Sequence, residues 1–115
     1  MTLATVRVEW HGERPVAGLE GEIDVSNADE IADELRELLN NRSSTLIVDL
    51  SPTRYLDSAG INLLFALGAD LRARQLELAI VVVSGSPIAR MLEITGLDRA
   101  HPTYPDVDAA LAAQA

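Results

Sequence analysis

The chain is predicted to be an α/β domain, a mixed β-sheet with helices packed against it, in the order ββαβαβαβα. Three observations predict it. Two strand-like runs stand before any helix, separated only by a turn. Farther on, short apolar runs rich in β-branched residues alternate with segments of helical spacing, and strands separated by helices need crossover connections that favour parallel neighbours. Finally, 48% hydrophobic and 23% charged residues is the composition of an ordinary globular protein. At 115 residues one core suffices, and no repeat, linker or low-complexity stretch divides the chain, so residues 1–115 are read as a single domain.

Residues 5–10, TVRVEW, alternate polar and apolar, which places Val6, Val8 and Trp10 on one face of a half-buried strand. The turn 11–15, HGERP, leads into a second strand over 16–23. Segment 24–41 has apolar residues at 28, 31, 32, 35, 38 and 39, a single helical face. Ser26 or Asn27 can cap that helix, and Asp29 and Glu30 suit the positive end of its dipole. TLIVDL, 45–50, reads as a strand buried on both faces, followed by a loop, SPTRYLD, over 51–57. A long apolar helix is expected over 58–75 and another buried strand over 76–85. Over 86–96, Ser86 fits an N-cap, Pro87 the first helical position and Gly96 the residue just past the helix end. A last short strand over 99–104 and a terminal helix over 105–115 complete the order.

Bulk chemistry narrows the function. Eighteen acidic residues stand against nine arginines and no lysine, a net charge of −9. Nucleic acid is an unsuitable ligand, because binding it requires clustered cations to neutralise phosphates. There is no cysteine, so disulfide and thiol chemistry are excluded, in keeping with a reducing cytosol. The first residues do not form a signal peptide, and no apolar run reaches the roughly 18 residues that span a bilayer. The expectation is a soluble, cytoplasmic protein without membrane contact.

The segment most in need of explanation is 49–64, DLSPTRYLDSAGINLL, where a strand ends in an aspartate and Asp57-Ser58-Ala59-Gly60 opens an apolar helix. Catalysis by a serine needs a base and a group orienting it. The two histidines, His11 and His101, lie in no triad motif, and the G-x-S-x-G elbow is absent. Metal sites lack cysteines and paired histidines, leaving only a conceivable carboxylate set of Asp24, Asp49 and Asp57. A phosphate-cradling loop closing on lysine is impossible without a lysine. No cofactor is expected. Two readings of Ser58 remain open: Ser58 or Asp57 caps the helix, or Ser58 carries a phosphate whose oxygens face the free N–H groups of the helix start.

The residues also resemble a family. Segments 21–35, 48–64 and 93–111 are similar to the STAS domain of bacterial anti-sigma factor antagonists, and the likeness extends over essentially the whole chain. The specific mark is Asp49-Leu50-Ser51 at a strand end, then Leu56-Asp57-Ser58-Ala59-Gly60 at a helix start. Where family members often carry a second hydroxyl residue, this chain has Ala59, which leaves Ser58 as the sole hydroxyl there.

The resemblance implies a regulatory binding protein and no enzyme. Its partner would be an anti-sigma factor serine kinase that phosphorylates Ser58, with a serine phosphatase resetting the cycle. It implies a partner surface of Asp24, Ser51, Thr53, Arg54, Tyr55, Asp57, Ala59, Gly60 and Asn62, and a monomeric chain. Unphosphorylated, the protein would occupy the kinase and release the sigma factor. Two other readings stand beside this one. In the first, the chain is a STAS scaffold or an accessory subunit of a signalling or lipid-transport assembly, with Ser58 unmodified. In the second, it is a small enzyme using Asp57 and Ser58.

Overall fold

The computed structural model describes residues 3–39 and 43–114. Six strands and five helices are found among them: β1 (Ala4–His11), β2 (Arg14–Ile23), α1 (Ala28–Arg36), β3 (Thr45–Asp49), β4 (Thr53–Leu56), α2 (Ser58–Ala73), β5 (Glu77–Val81), α3 (Pro87–Thr95), α4 (Leu97–Ala100), β6 (Thr103–Tyr104) and α5 (Val107–Ala113). The sheet runs β1-β2-β3-β5-β6. Only the β1–β2 hairpin is antiparallel; every other pair is parallel, as crossover helices require.

The mixed α/β fold is as the sequence predicts, with two additions. Inside the expected loop 51–57, Thr53-Arg54-Tyr55-Leu56 forms β4, which pairs with the end of β2 where β3 has already stopped. A β-branched and an aromatic residue suit a strand, but Pro52 and the segment's shortness hide it from a pattern search. The second addition is α4, a single turn between Gly96 and His101. Helix α1 ends at Arg36, earlier than the expected 41, and Asn40 and Asn41 lie outside the described residues, as does Ala115.

Strand β3 is buried on both faces, as its continuous apolar run requires. On one face Leu46 and Val48 join Leu19 and Ile80 against Leu35 of α1, Leu64 and Leu67 of α2 and Leu92 of α3. On the other, Ile47 packs with Val16, Ala79, Val81 and Ala110 of α5. Val6, Val8 and Trp10 share a face, yet only Val6 packs against the core. Val8 is 37% and Trp10 48% exposed, because β1 is the outermost strand and the helices cover the inner ones.

The buried end of α2 is held by His101, 5% exposed, whose ring lies where a side chain at Gly68 would otherwise be. Arg72 donates to the Ala100 carbonyl beside it. Burial, and secondarily the Arg72 charge, lowers the His101 pKa below its ordinary 6.5. The native state therefore binds its proton less readily than the unfolded chain does. Stability from this group is complete above pH 6.5 and is lost as pH falls from 6.5 through the lowered native value. A series of urea melts should show this slope in the wild type and a flatter one in His101→Gln; parallel profiles would contradict it.

Candidate functional site

Parallel strands bring their C-terminal ends to one edge of the sheet, and loops leaving that edge are the usual place for function in α/β folds. Here the edge collects the turn after β2, the turn between β3 and β4, and the start of α2 after β4. Each carries an aspartate, and each aspartate bonds locally. Asp24 accepts the N–H of Ser26 at 2.8 Å and also its hydroxyl. Asp49 treats Ser51 in the same way, at 2.9 Å and 2.7 Å. Asp57 accepts the N–H groups of Ala59 at 2.8 Å and Gly60 at 3.2 Å. All three carboxylates thus serve as turn formers, side chains that replace a backbone acceptor two or three residues on.

The bonding at Asp57 decides between the two candidate caps. Asp57 is the N-cap of α2 and Ser58 is the first helical residue. The Ser58 side chain is exposed and makes no hydrogen bond among the described residues. A phosphate on Ser58 would find the Ala59 and Gly60 N–H groups of the helix start already taken by Asp57. It would meet that carboxylate instead. Replacing Asp57 by Ala should cost about 1 kcal/mol of stability, and by Asn much less, since Asn caps nearly as well; equal urea midpoints for wild type and Asp57→Ala would show that the cap adds nothing to stability.

The helix start is placed by packing as well as by its cap. The Asp57 N–H donates to the Ile23 carbonyl at 3.3 Å. Gly60 is buried, and a Cβ there would run into the Leu56 side chain and lie 3.3 Å from Ile23 Cγ2. Glycine lets α2 lie close over the ends of β2 and β4, which holds Ser58 at the rim. The start of α1 is arranged differently from expectation: Asn27 is its N-cap residue, but its side chain does not cap. Asn27 Oδ1 accepts the Asp24 N–H at 3.1 Å and Nδ2 donates to the Glu22 carbonyl at 2.9 Å, tying the turn to β2.

The nine residues of the expected partner surface divide into two groups. Ser51, Arg54, Tyr55 and Asn62 are exposed, while Asp24, Asp57 and Ala59 are half-buried at the rim. Thr53 and Gly60 are buried, and the Thr53 hydroxyl donates to the Leu19 carbonyl; both hold the scaffold beneath the rim. Ala59 and Asn62 line a groove between α1 and α2 whose floor includes Ala28, Ala32 and Leu63, with Val25 at its mouth.

Sequence patterning missed Val25 and Val83. Val25 falls in the helical segment expected over 24–41 and Val83 in the buried strand expected over 76–85, yet they are 82% and 49% exposed, in the turns that follow β2 and β5. The available signal was their position, each an apolar residue just past a strand end. Neither histidine can serve Ser58. His11 ends β1 next to Arg14, the first residue of β2, and so at the opposite edge of the sheet. His101 packs ten residues along α2, roughly 15 Å away at 1.5 Å per residue.

The fold has counterparts among known proteins. Residues 7–110 match the family model described as STAS domain. The anti-sigma-F factor antagonist RsfB of Mycobacterium tuberculosis is 28% identical over 107 residues, 93% of this chain and 86% of that protein. The anti-sigma-B factor antagonist of Listeria monocytogenes is 34% identical over 77 residues, 67% of each chain. Among solved structures, an anti-sigma factor antagonist from Mycobacterium paratuberculosis superposes with a TM-score of 0.85 at 30% identity, covering 96% of this chain and 93% of its own.

Proposed function

The chain belongs to the STAS domain family, and from that premise we propose that it is an anti-sigma factor antagonist: unphosphorylated, it binds an anti-sigma factor kinase and so releases a sigma factor, and phosphorylation at Ser58 switches it off. The single observation that carries this reading is the division of labour at the start of α2. Asp57 caps the helix, so the exposed Ser58 hydroxyl has no structural task and is accessible to a kinase. The names of the relatives support the antagonist role.

The mechanism follows from charge. The partner covers the rim formed by Ser51, Arg54, Tyr55, Asp57, Ser58 and Asn62, where Tyr55, 51% exposed, and Arg54 are residue types that anchor interfaces. A phosphate on Ser58 adds about −1.5 to −2 charges beside Asp57. In a covered interface those charges lose their water and find no compensating cation on this chain's own helix start, so the complex dissociates. Hydrolysis by a phosphatase restores the neutral hydroxyl.

The experiment is a pull-down from native cell extract with Ser58→Ala and Ser58→Asp as paired baits, bound proteins being identified by mass spectrometry. Retention of an ATP-dependent anti-sigma kinase by Ser58→Ala alone is the expected result. The same partners on both baits would rule out the switch and favour a scaffold role.

A further inference from the structure

Among the described residues the edge of the sheet farthest from β6 is open. β1 is eight residues long, contains no proline and, among those residues, hydrogen bonds only to β2. The direction of its unused groups follows from the register. Trp10 stands opposite Pro15, which has no N–H to give, so that pair is a non-bonded one. Glu22 N–H donates to the Leu3 carbonyl at 3.1 Å, so the odd-numbered positions of β1 face β2. By the alternation of antiparallel ladders, the N–H and C=O groups of Ala4, Val6, Val8 and Trp10 point outward. A row of free backbone groups on a long strand is a template for another strand, and the exposed Val8 and Trp10 side chains border this one.

We propose that a second copy of this chain covers the edge, β1 pairing antiparallel with β1 about a two-fold axis at Val8, to give a dimer rather than the monomer that the family resemblance implies. The register is chosen by complementarity. With Val8 opposite Val8, position i faces position 16 − i, so outward residues meet outward residues and the ladder bonds form. Val6 then faces Trp10 twice on the side of the sheet that α1 and α2 cover. Arg7 faces Glu9 twice on the other side, where Arg7 already pairs with Glu20 at 3.0 Å and Glu9 lies 3.2 Å from His11. A two-fold axis at Val6 sets Arg7 against Thr5 and Glu9 against Leu3 and gives neither charge an opposite charge across the seam. The net charge of −9 repels two copies in general, but β1 presents one cation and one carboxylate at this seam. The Ser58 rim lies at the ends of the parallel strands, so both copies keep it uncovered.

The test is analytical ultracentrifugation of the full chain over a concentration series from micromolar to millimolar. The expected mass rises with concentration from the chain's 12.4 kDa towards twice that value. Val8→Pro deletes an outward N–H and spares the bonds to β2, so it should stay monomeric while keeping the wild-type circular dichroism spectrum. Arg7→Glu and Glu9→Arg each place like charges opposite one another twice, and each should weaken association about tenfold. The double exchange should recover it to within about threefold. A wild type that is monomeric throughout overturns the proposal, as does a folded Val8→Pro that dimerises normally. Failure of the double exchange to recover would overturn the register.

Discussion

Ser58→Asp is expected to weaken binding of the anti-sigma partner by about 100-fold, and Ser58→Ala by less than about threefold. The difference corresponds to about 3 kcal/mol, the range for one unpaired charge enclosed in an interface. Folding should not confuse the result. Ser58 is exposed and forms no hydrogen bond among the described residues, and the dipole at the first turn of a helix favours an acidic residue by a few tenths of a kcal/mol. Calorimetric titration of both variants against the captured partner, with melts run alongside, measures binding and folding separately. The phosphorylated wild type should bind more weakly still, because phosphate carries more charge than a carboxylate. Equal affinities for Ser58→Ala and Ser58→Asp would mean that the partner does not cover α2's first turn.

Gly68→Ala is expected to destabilise the fold by about 2 kcal/mol, a drop in Tm of roughly 10 °C for a domain of this size. In an exposed helix the same change would stabilise by about 1 kcal/mol. Here the new Cβ would sit no more than 3.0 Å from three atoms of the His101 ring. That ring is buried and its chain is held by the Arg72 bond to Ala100, so moving it aside costs packing. The overlap outweighs the gain in helix propensity. Combining Gly68→Ala with His101→Ala should cost less than the sum of the two single changes, because the cavity left by the imidazole accepts the methyl group. A stabilising Gly68→Ala would show that α2 and the α4–β6 junction are not interlocked.

Most of the framework was legible because it follows from local chemistry. The α3 boundaries are the clearest instance. Ser86 caps through the Ala89 N–H, Pro87 opens the helix, and Gly96 ends it at φ +82°, where glycine alone is unstrained. The continuous apolar run of β3 announced burial on two faces, and the 28, 31, 32, 35 spacing announced the buried face of α1. The site was legible in part. Asp57-Ser58-Ala59-Gly60 at a strand-to-helix junction could be read from order alone, and so could the similarity of Asp24-Val25-Ser26 to Asp49-Leu50-Ser51. Which side chain capped α2 could not, because Asp57 and Ser58 are both good N-caps and only the backbone path selects between them.

What the sequence by itself determined is the alternation of strands and helices, the turn chemistry that ends them, and the hydroxyl-bearing motif at the start of α2. All of these depend on residues within a few positions of one another. What only the tertiary structure decided depends on partners far apart in the chain. β4 exists because β3 stops short and leaves the end of β2 open. Val8 and Trp10 stay exposed because their strand is outermost, although their alternation is that of a buried face. Gly68 is glycine because a histidine 33 positions later in the chain fills the space beside it. Periodicity reports which face of an element is apolar, whereas the neighbour that covers that face, or leaves it open, is set by the folded arrangement of all the elements together.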